Sequence, residues 1–278
     1  MTTAKKIVIW CGDAPNQKAL ANKIAAQFPV AGIVIDKKKS IRKTPLLQKL
    51  VTALQDRFFF RVINDAWTSL QQKYRSSYSH WPATSLLEVD SINSEEALRL
   101  TLDMAPDLVV VSGTGLVRKK MFAVKPSIGI INLHTGLSPY VKGGPNCTNW
   151  CISTGEMDKI GNTIMWLNEG IDSGNIIASE CTALGNAVSL DDMQWKVMEH
   201  AHDLYLRTIH YLFNTGTPYQ TVPQDQITKG KLYLTRMWNY TAKKNLLKNL
   251  SRLQRQGRVA INDTGTPPVT VPLGNEQR

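Results

Sequence analysis

Ile128-Gly-Ile-Ile-Asn-Leu-His-Thr-Gly-Leu-Ser-Pro-Tyr-Val-Lys-Gly-Gly144 is the stretch on which the reading of this chain turns. It opens as an apolar run, as a strand buried on both faces does. Asn132 and His134 then interrupt the run. They are two residues apart, so on a strand their side chains share a face. Thr135 and Gly136 end the strand, and Gly143-Gly144-Pro145 ends the loop. A carboxamide beside an imidazole at a strand tip suits a reaction centre, because ligands of open α/β sheets gather at strand C-termini. The same two residues could instead satisfy loop backbone, and taken alone the stretch leaves both readings open.

The segments around it have the texture of a parallel sheet. Upstream, 107–113 reads as a second buried strand ending in Gly113-Thr-Gly115. The third glycine of a dinucleotide fingerprint is absent and Arg118-Lys119-Lys120 follows, so these small residues suit a loop that lets a ligand approach backbone. Downstream, 163–167 and 175–183 read as two strands of a hairpin-like edge. Between them lies a polar loop, 168–174, that carries the carboxylate Asp172. At the N-terminus a strand over 5–12, a helix over 17–28 capped by Asp13 or Asn16, and a strand over 30–35 make a β-α-β unit. Leu20, Ile24 and Phe28 share one face of that helix. A long helical excursion, 37–83, comes next. Pro45 starts a helix through Leu46, Leu50 and Leu54, and Phe58-Phe-Phe reads as packing. A strand at 86–89 and a helix capped by Ser94 complete the first half. Ser189-Leu-Asp-Asp192 is a capping box that opens a helix to about Phe213, with the stripe Leu190, Met193, Val197, Ala201, Leu204 and Leu212. His200 and His202 on it are spaced poorly for ligation and read as surface or packing residues. No segment repeats.

Composition narrows the function classes. No apolar run reaches the ~18 residues that span a bilayer. The N-terminal strand starts too early for a signal peptide, so a cytoplasmic protein is expected. Cys11, Cys147, Cys151 and Cys181 are then reduced thiols, and no second pair completes a zinc set around Cys147 and Cys151, so no metal is expected. The net charge is +11 and unevenly placed. Residues 36–57 hold seven Lys or Arg against two Asp, and 229–258 hold nine with no acid. Such segments suit phosphate or nucleic acid, or are solvated helix faces. Within the second, 230–234 reads as a short strand and 241–256 as a helix. Leu246, Leu250 and Leu253 lie on one side of it, and Lys244, Lys248, Arg252 and Arg255 on another. Those four could meet an acceptor's phosphates, or be solvated while the leucines pack on the core or on a second subunit. Residues 262–278 read as disordered. The expected division is a core at 1–213, a small basic strand-and-helix appendage at 214–261, and that tail.

Three motifs together resemble the formyltransferase family that uses N10-formyltetrahydrofolate: Asn132-Leu-His134; Pro139-Tyr-Val-Lys-Gly143-Gly144; and Gly161 through Ile171-Asp172-Ser-Gly174. The likeness covers roughly 5–213. It departs at Thr135-Gly136, where relatives carry Pro-Ser, and in the excursion at 37–83. The resemblance implies an α/β, Rossmann-like, mostly parallel sheet with helices on both faces and a small C-terminal appendage. It implies Asn132, His134 and Asp172 as the catalytic set. The pterin of the co-substrate would lie between Ser112, Gly113, Thr114, Gly115, Leu116 and Val117 on one side and Leu167, Asn168, Glu169, Gly170 and Ile171 on the other. Tyr140, Lys142, Gly143 and Gly144 would lie on the substrate side.

Those residue types suit the chemistry. Passing a formyl group from a tertiary nitrogen to an amine develops an oxyanion, which the Asn132 amide and a His134 N–H can meet. His134 suits proton transfer near neutral pH, and Asp172 beside it favours the imidazolium and orders a relay water. The expected acceptor is a small-molecule amine: an amino sugar carried on a nucleotide diphosphate. The methionyl-tRNA enzymes of the family add a C-terminal barrel, and the glycinamide ribonucleotide enzymes lack the 37–83 excursion. Formyl transfer to those acceptors, hydrolysis of formyltetrahydrofolate and a non-catalytic nucleic-acid-binding protein are the alternatives. The hydrolases carry a domain ahead of the formyl domain, whereas here the first strand begins near Lys5.

Overall fold

A computed structural model describes residues 4–37, 46–144, 146–256 and 268–274. Along the chain run β1 (Ile7–Gly12), α1 (Pro15–Ala25), β2 (Val30–Asp36), α2 (Leu46–Phe58), α3 (Arg61–Ser77), β3 (Ser85–Val89), α4 (Glu95–Met104) and β4 (Leu108–Ser112). Then come β5 (Gly129–His134), β6 (Val141–Gly143), α5 (Cys147–Thr154), β7 (Gly161–Trp166), β8 (Ile176–Cys181), α6 (Leu190–Asn214), β9 (Lys231–Tyr233) and α7 (Tyr240–Gln256). Seven strands form one sheet in the order β3-β2-β1-β4-β5-β7-β8. The first five are parallel, and β7 and β8 close the sheet as the expected antiparallel edge.

Alternation along the strands makes the layers. Ile7, Ile9 and Cys11 of β1 join the core that holds Leu20, Ile24 and Phe28 with Ala201, Leu204 and Leu212 of α6. Val8 and Trp10 face the opposite layer with Ala97 of α4, Val109, Val111 and Met121. Burial on both faces is why these strands read as unbroken apolar runs. Ser94 and Ser189 cap α4 and α6 through their side chains, as expected. α1 has no such cap. It begins at Pro15, whose fixed φ suits the first helical position, while Asn16 is buried and exchanges hydrogen bonds with Gln71.

The excursion is two helices, α2 and α3. Its start, 38–45 with Pro45, lies outside the described residues. α2 runs through Leu46, Leu50 and Leu54 as expected, with Leu50 and Leu54 more than half exposed. The expectation that fails is packing of the aromatic run: only Phe60 is buried, with Phe58 at 70% and Phe59 at 63%. α2 ends at Phe58, and the turn that follows swings Phe60 alone under Tyr240.

After α6 the chain returns to the core. β9 pairs in parallel with β6, and Leu246, Leu250 and Leu253 of α7 are buried in a cluster with Cys147, Trp150 and Cys151 of α5. Lys244, Lys248, Arg252 and Arg255 lie on the exposed face of α7. Part of the tail expected to be disordered is placed: Ser179 N of β8 donates to Val271 O at 2.8 Å, and Val271 N to Ser179 Oγ at 2.9 Å. An edge strand offers unpaired backbone groups, and this segment takes them up. Residues 262–267 and 275–278, the rest of that expectation, lie outside the described residues, as do 257–261. Among the described residues no helix is long and apolar enough to cross a membrane.

Candidate active site

β1 and β4 are neighbours, but the chain leaves β1 towards β2 and β3 and leaves β4 towards β5. Loops diverging in this way leave a crevice at the strands' C-terminal ends. A cleft of about 530 Å³ lies there. Its floor carries Asn132 and His134 of β5, beside Val111 and Ser112 of β4. Tyr205 of α6 braces that floor. Its buried hydroxyl accepts from Val111 N at 2.8 Å and lies within donating distance of Val111 O (3.1 Å) and Ile131 O (3.0 Å). Burial pushes its phenol pKa well up, so it stays neutral.

Asp172 arrives from the β7–β8 connection. Leu167 N donates to Ile130 O at 2.8 Å, which ties the start of that loop to β5. At Gly174 a Cβ would overlap Trp166 O, so only glycine fits the return. Asp172 itself has φ +45°, a conformation that costs a non-glycine residue about 1–2 kcal/mol and persists only where the surroundings fix it. The fixing comes from far along the chain. Gln224 Nε2, buried, donates to Asp172 O at 2.9 Å and to Gly174 O at 2.8 Å.

The three polar side chains meet. Asp172 Oδ2 lies 3.3 Å from His134 Nδ1 and accepts from Gly143 N at 2.8 Å. Asn132 Nδ2 approaches Asp172 Oδ1 at 3.5 Å, the long limit of a hydrogen bond. His134 Nε2 lies 2.9 Å from Val141 O. Two acceptors thus face the two ring nitrogens, and only the doubly protonated ring donates to both. The imidazole is fully engaged, whereas the Asn132 amide is held loosely at the cleft wall. The reading in which the two residues merely satisfy the loop accounts for Val141 O. It does not account for a carboxylate brought to both side chains from 40 residues away.

The expected binding loops are partly gathered. Ser112, Gly113, Thr114, Gly115, Leu116 and Val117 all line the cleft, as do Leu167, Gly170 and Ile171. Gly113 takes φ +69° and packs so close that a Cβ on Gly12 would lie 2.7 Å from its carbonyl oxygen. Asp36 Oδ2 accepts from Gly115 N at 2.7 Å, and Asn93 holds Arg118 N and Leu116 O. Asn168 and Glu169 do not line the cleft. The Asn168 side chain is spent on the turn, accepting from Gly170 N and Ser173 Oγ. On the other side Gly143 and Gly144 line the cleft, but Tyr140 and Lys142 do not. Tyr140 packs partly buried against the α5–α7 cluster, away from the cleft, and its hydroxyl accepts from Val269 N at 2.8 Å.

Several wall residues carried no sequence signal for a site: Asn16 and Gln17, Trp67 from the excursion, Met198, and Tyr233, Leu234 and Thr235. Asp36 could have been found as a lone carboxylate closing an apolar strand. Trp67 and Gln224 sit in unremarkable local sequence. Among the described residues none of the cleft's walls is a Lys or Arg, despite the net charge. No group of three or more His, Cys, Asp or Glu among the described residues is arranged for a metal.

The fold has relatives. An N-formyltransferase from Helicobacter canadensis, in complex with folinic acid and dTDP-3-aminofucose, shares the fold with a TM-score of 0.53 at 17% identity, covering 88% of this chain and 80% of that one. Phosphoribosylglycinamide formyltransferase from Bacillus halodurans does so with 0.52 at 20% identity, covering 77% and 99%. In sequence, methionyl-tRNA formyltransferase of Clostridium tetani is 26% identical over 165 residues, 57% of this chain and 53% of that protein. The chain thus spans about half the length of the curated relatives it matches. Residues 61–209, more than half of the chain, match the formyl transferase family, and they include Asn132, His134 and Asp172: the chain belongs to that family.

Proposed function

We propose that this protein transfers a formyl group from N10-formyltetrahydrofolate to a primary amine, most simply that of an amino sugar on a nucleotide diphosphate. The observation that carries the transfer is the meeting of Asn132, His134 and Asp172 in a cleft at the sheet's switch point. Asn132, loosely held, is the donor available to a developing oxyanion. His134, between Asp172 and Val141 O, supplies positive charge beside it and a proton for the departing nitrogen. The co-substrate supplies the activated formyl group. The walls at 112–117 and 170–172 suit its flat heteroaromatic end, because they present close-packed backbone and apolar side chains. The relative solved with folinic acid supports the same reading.

Three features support a sugar acceptor. Among the described residues no Lys or Arg lines the walls to hold a phosphate, so the amine end of the acceptor enters the cleft and any phosphate stays outside. Trp67, 41% exposed, offers an aromatic face to a ring. Among the described residues Gln17 Oε1 is buried without a partner, an acceptor suited to a hydroxyl or ammonium proton. A tRNA acceptor is a second reading. It is favoured by the sequence likeness to methionyl-tRNA formyltransferases and by the exposed basic face of α7.

The test is mass spectrometry for a formyl increment on a panel of nucleotide-linked amino sugars, methionyl-tRNA and glycinamide ribonucleotide, with formyltetrahydrofolate supplied. The expected outcome is an increment on a nucleotide-linked amino sugar. Consumption of the co-substrate with no acceptor modified would make the protein a hydrolase. In parallel, 5-formyltetrahydrofolate should raise the melting temperature by mass action while NAD(H) and NADP(H) do not. The opposite pattern would return the Gly113-Thr-Gly115 loop to a dinucleotide.

A further inference from the structure

His134 is held by more than its hydrogen bonds. The turn after β5 carries Gly136 across the edge of the imidazole, and a Cβ at Gly136 would overlap His134 Nε2. The same Cβ would come within 2.9 Å of both Cβ and Sγ of Cys147, the first residue of α5. Cys147 Sγ lies 3.6 Å from His134 Nε2 and 3.5 Å from Gly143 O, to which it can donate. Burial holds this thiol neutral, its pKa well above the usual value, with the neighbouring Cys151 and Asp172 adding to the effect.

The turn has no freedom to withdraw. Thr163 Oγ1 of β7 donates to Gly136 O at 2.8 Å and accepts from Ser138 N at 2.9 Å, so one buried hydroxyl pins both sides of it. The ring cannot slide along its own plane either, with Asp172 at one nitrogen and Val141 O at the other.

We propose that Gly136 and Cys147 are positioning residues, a matched small pair that seats the His134 ring against Val141 O and Asp172. The proposal rests on the formyl-transfer reading for its kinetic consequence and on geometry alone for the seat. A methyl at 136 must displace the imidazole, because the pinned backbone cannot give. Removing the sulfur at 147 frees space beside both the methyl and His134 Nε2, into which the ring can shift.

The experiment compares Gly136→Ala, Cys147→Ala and the double variant with the wild type, by steady-state kinetics across pH, melting temperature and the imidazole 15N resonances of His134. Gly136→Ala should lower kcat by at least ~10-fold, since misplacement by an ångström can cost up to ~10²-fold. Its KM values should stay within about twofold, as groups acting only in the transition state require. Its pH–rate profile should shift, and the His134 resonances should move. The double variant should recover kcat by about fivefold or more over Gly136→Ala, the non-additivity of groups that share one volume. Wild-type kcat, pH profile and resonances in Gly136→Ala would overturn the proposal. So would a loss that the second substitution leaves in place. Should Gly136→Ala not fold, Cys147→Ala decides: unmoved His134 resonances overturn the seat, and moved ones support it. The resonances need no turnover, so a failure of the formyl-transfer reading would leave this result standing separately.

Discussion

The two walls of the cleft are built in opposite ways. The chemical wall comes from a short span of chain, Asn132 to Asp172: two residues on β5, buried within the sheet, and one on the β7–β8 connection beside it. The outer wall comes from pieces far apart: Asn16 and Gln17 at the head of α1, Trp67 on α3, and Tyr233, Leu234 and Thr235 after α6. A reaction that must hold donors to within a fraction of an ångström needs a rigid support. A choice among acceptors can be made by loops and added helices that vary without disturbing it. On the proposed reading, the first wall governs whether transfer occurs, and the second governs what receives the group.

Substitutions can break this contrast, and the largest effects should fall on the chemical wall. Asn132→Ala, His134→Ala and Asp172→Ala should each cut turnover by at least ~10²-fold with the fold intact, because they remove an oxyanion donor or the proton-transfer pair. A His134→Ala enzyme at wild-type rate would end the assignment. Gln224→Leu should act next most strongly. It leaves Asp172 O and Gly174 O without their buried donor, a loss of roughly 1–3 kcal/mol. Turnover should fall about tenfold as Asp172 loses its place. A lower melting temperature with unchanged kcat would make Gln224 a structural residue only.

The outer wall should respond in KM. Trp67→Ala should raise the acceptor's KM roughly fivefold, about the ~1 kcal/mol carried by an aromatic contact, and leave that of formyltetrahydrofolate within twofold. Trp67→Phe should restore most of it. An equal rise in both KM values would place Trp67 on the shared floor instead. The smallest effect is expected from changing Lys244, Lys248, Arg252 and Arg255 together to Gln. These side chains lie on the outer face of α7 and none lines the cleft, so a sugar acceptor's KM should stay within about twofold and show little salt dependence. A large rise with a tRNA acceptor would instead assign that face to nucleic acid.

Much of this molecule was legible without coordinates, for a physical reason. Central parallel strands write themselves as apolar runs, side-chain capping of α4 and α6 needs only local residues, and Asn132 and His134 share a face because a strand alternates. Glycines at 113 and 174 mark places where backbone passes too close, or turns too sharply, for a side chain. Local sequence therefore determined the sheet, the floor of the cleft and the candidate polar groups on it. It could not say which exposed side chain reaches the cleft and which turns away. Trp67 lines it while Tyr140 and Lys142 do not, and Phe58 and Phe59 face out beside a buried Phe60. Nor could it show that Gln224 fixes Asp172 from 52 residues away, or that Gly136 and Cys147 close on one ring. Those outcomes depend on which distant segments come to pack together, a property of the assembled core that no window of sequence contains.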